Sequence, residues 1–225
     1  LNDAFASTSR FSMGSDAADI NRDGLQDIIT LDMLPKDEKV IKETEGDEAM
    51  LNKQTQLRNL GYKNQYSRNM LQINSDNGNY FYDTAIINNL EDTDWSWGPL
   101  IADFDNDGWK DIFISNGTRR EINHRDYFNE LKLRPMAKDS LLYYSQNIPS
   151  EPISNFIFKN NTDLSFSNVT KEWGLDLKNF SNGAAYADLD NDGDLEIIVN
   201  NIDQEAQIFE NNSSHNYVKI KLKGS

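Results

Sequence analysis

Three segments of this 225-residue chain spell nearly the same nine residues. They run from Asp19 to Asp27 (DINRDGLQD), from Asp103 to Asp111 (DFDNDGWKD) and from Asp188 to Glu196 (DLDNDGDLE). Oxygen-bearing side chains fall at positions 1, 3, 5 and 9 of each, and glycine at position 6. In a tight loop the side chains at 1, 3 and 5 converge on one point, position 7 offers a backbone carbonyl, and glycine allows the φ > 0 turn. Carboxylates crowded in this way repel one another unless a cation lies among them. An all-oxygen ligand set with no Cys or His points to Ca2+ rather than Zn2+ or Cu2+. A single loop of this kind is compatible with a solvated acidic turn. Three of them, each leading into an apolar run, are not.

The flanks decide what kind of module carries the loops. An EF-hand places helices on both sides and a bidentate Glu at position 12. Position 12 here is Thr30, Ile114 and Val199, which excludes it. Each loop instead runs into a short β-branched segment (DIITL, DIFIS, EIIVN) and is preceded by Ser-x-Gly-x-x-x-Ala-Asp, with Gly14, Gly98 and Gly183 at the third position. The unit is strand, loop, strand. The loops recur after 84 and then 85 residues. Upstream of the second stand Asn69–Asn74 and Tyr80–Thr84, upstream of the third Asn155–Asn160 and Phe166–Thr170, and a fourth copy opens at Gln207. Serial groups of about four short strands joined by Asn, Asp and Gly turns predict an all-β chain, a β-propeller segment of about three blades. Two polar stretches, residues 35–67 and 118–153, lack strand alternation and are expected to be partly helical inserts. Inserts of this length are uncommon without a purpose, and the functional expectation is a partner-binding surface.

The repeats resemble the FG-GAP/VCBS repeats of integrin-α-like β-propellers. The phrases from Trp95 through Gly108 (WSWGPLIADFDNDG) and from Ser181 through Gly193 (SNGAAYADLDNDG) carry the likeness. The chain resembles VCBS-repeat proteins of Bacteroidota that bear an ASPIC/UnbV domain, and is similar also to the cartilage acidic protein family. The resemblance implies that residues 1–214 are propeller repeats and that 215–225 open an ASPIC/UnbV-like domain. It also implies which groups bind Ca2+. In the first loop these are Asp19, Asn21, Asp23, the Leu25 carbonyl and Asp27. In the second they are Asp103, Asp105, Asp107, the Trp109 carbonyl and Asp111. In the third they are Asp188, Asp190, Asp192, the Asp194 carbonyl and Glu196. About three ions per chain are implied. Asn21 removes one charge and should weaken the first site, and Glu196, a methylene longer than Asp, should widen the third or bind bidentately.

Composition narrows the function. The formal net charge is −15, and three divalent ions would offset six of those charges. Lys and Arg are scattered with no basic stripe, which argues against nucleic acid and against anionic lipid. No apolar run is long enough to insert in a membrane. There is no cysteine, hence no disulfide and no thiolate chemistry. Only two histidines are present, His124 and His215, and no nucleophile elbow or phosphate-cradling loop is visible, so no enzymatic activity is expected. Trp95, Trp97, Trp109 and Trp173 are expected to pack rather than to stack on sugars, whereas Tyr143 and Tyr144 in the second insert are candidate contacts. Asp83-Thr84-Ala85 matches the tripeptide that Bacteroidota O-glycosylate. Both ends read as cut within the pattern. The expectation is a calcium-stabilised extracellular or cell-surface scaffold, associated with the outer membrane, whose inserts bind a protein partner. The alternatives are a carbohydrate-binding propeller and, less favoured, a glycan hydrolase.

Overall fold

The computed structural model describes residues 4–44, 55–75, 78–133, 140–149, 151–213 and 217–223. It is mostly β, with 36 % strand against 16 % helix, as the strand-loop-strand units require. Three antiparallel sheets follow one another along the chain. The first is built from β2 (Gly14–Ala18), β3 (Asp27–Leu31), β6 (Met70–Ser75) and β7 (Tyr80–Asp83), in that spatial order. The second repeats the pattern with β8 (Asp94–Ala102), β9 (Asp111–Asn116), β11 (Phe156–Asn160) and β12 (Phe166–Asn168). The short β4 (Met33–Leu34) crosses over to the free edge of β8 and ties the two sheets together. The third sheet holds β14 (Ser181–Ala187), β15 (Glu196–Asn201) and β16 (Gln207–Phe209). Two small ribbons complete the set. The parallel pair is β1 (Ser7–Ser9) with β5 (Asn64–Tyr66), and the antiparallel pair is β10 (Ile153–Ser154) with β13 (Lys178–Asn179).

The repeat is phased differently from the sequence expectation. Asn69–Asn74 and Tyr80–Thr84 were expected to belong with the loop that follows them. They form β6 and β7 on the sheet of the preceding loop, with Ile29 opposite Leu71. Gln207–Phe209 does not open a fourth copy but is the third strand of the third sheet. The physical reason lies in the loop itself. The position-9 carboxylate of each of the first two loops accepts a backbone N–H from the third strand of its own sheet, Asn74 to Asp27 at 2.8 Å and Asn160 to Asp111 at 2.9 Å.

The sheets pack face to face. Ile29, Leu31, Leu71 and Ile73 of the first meet Ile101, Ile112, Ile114 and Phe158 of the second. On the other side of the second sheet, Phe113 and Ile157 meet Ile197 and Val199 of the third. β9 lies between both neighbours, and all six of its residues are buried: the apolar Ile112, Phe113 and Ile114 at its centre face both sheets, and Asp111, Ser115 and Asn116 at its ends are buried polar groups with hydrogen-bond partners. Gly14 lets the backbones of β2 and β8 come together: a Cβ there would sit 2.0 Å from the Trp97 carbonyl oxygen. Asp16 Oδ2 accepts the Ile101 N–H at 2.8 Å across the same contact.

Both inserts are partly helical, as expected. The first carries α1 (Glu38–Thr44) and a helical turn at 55–59, the second α2 (Arg125–Lys132) and α3 (Leu141–Gln146). Residues 45–54, 134–139 and 150 of the inserts lie outside the described residues. α1 packs on α2, and His124 Nε2 lies 3.9 Å from Glu43. Among the described residues no helix is long and apolar enough to cross a membrane. Of the segment expected to begin a new domain, residues 217–223 run exposed over the third loop without joining a sheet, and 215, 216, 224 and 225 lie outside the described residues.

Candidate metal centres

The three loops share one backbone path. Position 4 is left-handed in each, at Arg22 (φ 60°), Asn106 (56°) and Asn191 (68°), and so is position 6, at Gly24 (86°), Gly108 (91°) and Gly193 (97°). Glycine adopts this geometry without steric cost and asparagine with little, whereas Arg22 is the exception in the set. The loop oxygens are drawn inward by backbone donors. The Asp23 N–H donates to Asp19 Oδ1 and Asn21 Oδ1, both at 3.1 Å, and the Asp107 N–H donates to Asp103 Oδ1 at 3.0 Å and Asp105 Oδ1 at 3.2 Å. Position 7 donates to position 5 in every loop: Leu25 to Asp23 at 2.8 Å, Trp109 to Asp107 at 2.9 Å, Asp194 to Asp192 at 3.2 Å. Position 9 closes the loop by accepting the N–H of position 2, from Ile20, Phe104 and Leu189.

Convergence of the carboxylates differs from loop to loop. In the second, ligand oxygens of Asp103, Asp105 and Asp111 lie within 4.8 Å of one another, and in the third those of Asp188, Asp190 and Glu196 do the same. The first loop has no such carboxylate trio. Asn21 stands at its position 3, and its amide donates to Asp23 Oδ2 at 3.0 Å. Confinement shows in the ionisation. Burial pushes the Asp111 carboxyl up to about 7, and burial also raises Asp27 and Asp103. At Asp107 burial works in the same upward direction but is outweighed by the Trp109 N–H and the Lys159 ammonium, which hold that carboxyl below its ordinary value.

The third loop supplies the test of fit to a cation. Asp188 Oδ1, Asp194 Oδ1 and Glu196 Oε1 are buried and have no hydrogen-bond donor. A carboxylate oxygen removed from water with nothing to bond costs roughly 1–3 kcal/mol, and more when charged. A hard divalent cation satisfies such oxygens and is bound by this donor chemistry. The acidic clusters of the second and third loops could therefore hold a metal ion.

Sequence reasoning missed two sets of residues. Lys159, on β11, places its ammonium on both Asp105 and Asp107, and Lys219 reaches Asp188 Oδ2 at 3.2 Å and Asn191 Oδ1 at 2.9 Å. Burial alone would lower the pKa of Lys159, but the two aspartates outweigh it and raise it. The second set is a recurring asparagine at the end of the third strand or just beyond it. Asn74, Asn160 and Asn211 each donate a side-chain N–H to the position-8 carbonyl of their own loop, at Gln26, Lys110 and Leu195. Asn160 and Asn211 also donate to the position-2 carbonyl of the preceding loop, Ile20 at 3.1 Å and Phe104 at 2.6 Å. The signal was in the sequence, since all three recur at the same place in the repeat, but their targets were not.

The aromatics pack as expected. The Trp95 indole donates to Glu121 and the Trp97 indole to the Gly117 carbonyl, both at 2.7 Å, and Arg22 lies over Trp109 at 5.3 Å. Trp173 packs on the second core cluster. His124 caps α2, its Nδ1 accepting the Tyr127 N–H at 3.3 Å. Thr84 is buried, with 5 % of its surface exposed, so its hydroxyl is closed to glycosylation in the folded chain. A scan of protein-family models finds none that matches this chain, and a search of curated proteins likewise finds no match.

Proposed function

We propose that this chain is an arc of an FG-GAP/VCBS-type β-propeller in which Ca2+ ions staple the loop hairpins, and that it serves as an extracellular or cell-surface scaffold for a protein partner. The observation that carries the reading is the trio of buried, donorless oxygens on Asp188, Asp194 and Glu196, set in a loop whose backbone recurs twice more. A staple at this place explains how crowded carboxylates coexist with the apolar strands that start from them. Calcium is favoured by the all-oxygen donors and by an exterior where it is millimolar. The meander order of each sheet and the face-to-face succession of three sheets support a propeller arc.

The inserts support the scaffold reading. Ile122, Leu133, Leu141, Leu142 and Tyr143 are exposed and all belong to the second insert. A group of exposed apolar side chains on a projecting excursion suits a protein partner.

Thermal unfolding in millimolar calcium and then in chelator, with bound metal counted by native mass spectrometry, tests the staple. The expected result is a rise in Tm of ten degrees or more with calcium, on the order of the effect of a tight ligand. Asp105→Ala and Asp190→Ala should each reduce that rise. An identical Tm with calcium and with chelator, and no bound metal, would remove the proposal.

A further inference from the structure

The third loop departs from the other two at positions 7 and 9. Leu25 and Trp109 occupy position 7 in the first two loops, where only a backbone carbonyl is on offer, and Asp194 occupies it in the third. That side chain turns inward, and Asp194 is 2 % exposed. Glu196, at position 9, is 3 % exposed. Ligand oxygens of Asp192, Asp194 and Glu196 lie within 4.8 Å of one another, and Glu196 is also a member of the group with Asp188 and Asp190. The five carboxylates thus form two trios that share one residue.

Hydrogen bonding leaves one oxygen of Asp194 and one of Glu196 unused. Asp27 and Asp111, the position-9 residues of the other loops, have both oxygens engaged by backbone N–H groups. Glu196 has one engaged, Oε2, by the Leu189 N–H at 2.6 Å, and its Oε1 is buried without a donor. Asp194 Oδ2 accepts the Ser213 N–H at 2.9 Å, and its Oδ1 is buried without a donor. The extra methylene of Glu196 is what lets a position-9 carboxylate serve both trios. One divalent ion together with the Lys219 ammonium on Asp188 leaves two of the loop's five negative charges uncompensated, and two ions leave none.

We propose that the third loop holds two calcium ions, one among Asp188, Asp190 and Glu196 and a second among Asp192, Asp194 and Glu196, with Glu196 bridging them. The second position is specific to this repeat, because neither Leu25 nor Trp109 can provide the carboxylate. It is tied to the rest of the molecule through Ser213, whose N–H holds Asp194 and whose hydroxyl donates to the Asp105 carbonyl of the second loop at 2.8 Å. The second ion therefore fixes the chain leaving β16 against the neighbouring sheet.

This inference rests on the cation reading above, and the test separates the two. Calcium alone is titrated into the full chain and counted by native mass spectrometry. Asp190→Ala and Asp194→Asn should each lower the count by one, and the double variant should lower it by two. Glu196→Asp, which restores the residue of the other loops, replaces Asp194→Asn should that variant fail to fold, and should likewise lower the count by one. A double variant that loses only one ion overturns the proposal and leaves a single ion in the loop, with the staple reading intact. A wild-type count of zero overturns both.

Discussion

Asp111 shows what one residue contributes to the balance of this fold. Its carboxyl is fully buried and pushed up to about 7, chiefly by burial, from an unfolded value of 3.8. A folded pKa above the unfolded one means that the native state holds the proton more tightly. Without metal, the stability associated with this group is fully present below about pH 4 and is lost as pH rises to about 7, at up to ~1.4 kcal/mol per pH unit. Calcium requires the ionised form and should reverse the trend. We expect the Tm of the chelated protein to fall between pH 4.5 and 7.5, and calcium-loaded protein to lose that fall; parallel curves would contradict it. The meeting of positions 1, 3 and 9 in the second and third loops was legible in the sequence, because the spacing of the loop brings those side chains together. The inward turn of Asp194 was not, because position 7 had been assigned to its carbonyl, and burial of its side chain depends on Ser213, which stands 19 residues away. The partnership of Lys159 with Asp105 and Asp107 was hidden for the same reason, since it joins residues 54 and 52 apart.

At the level of strands, one motif position has two different meanings. Gly14 and Gly183 occupy the same place in the Ser-x-Gly phrase. A Cβ on Gly14 would collide with the Trp97 carbonyl at 2.0 Å, whereas a Cβ on Gly183 would meet nothing within 4 Å. Gly14→Ala should separate β2 from β8 and lower stability by ~1–3 kcal/mol, the usual cost of overpacking. Gly183→Ala should lie within ~0.5 kcal/mol of wild type. Urea unfolding of the two variants under the same calcium concentration checks the contrast, and equal losses would refute it. Strand existence was readable from the β-branched runs after each loop. Strand membership was not, because an insert separates β3 from its partner β6 and an antiparallel ladder leaves no mark in either strand of which neighbour it will choose. The asparagine contacts that fix the choice are made by backbone groups, which every residue has.

For the molecule as a whole, the three sheets stand in a fixed order with a recurring join. Asn160 of the second sheet grips the carbonyl of Ile20 in the first loop, and Asn211, following the third sheet's last strand, grips that of Phe104 in the second. The first and second loops are thus each held by the sheet that comes after them. Because Asn160 also holds the Lys110 carbonyl of its own loop, and Asn211 that of Leu195, each asparagine couples two neighbouring loops, and the coupling is reciprocal. Loosening the first loop by Asp19→Ala should speed amide hydrogen exchange around Asn160 in β11, while loosening the second by Asp103→Ala should speed it around both Asn160 and Asn211 and have the smaller effect at Asn74, which bonds to the first loop. Unchanged exchange at Asn160 in the first variant would refute this coupling. A loop that took up metal would therefore firm the asparagine it shares with its neighbour, and the neighbouring loop would be the readier to fill in its turn.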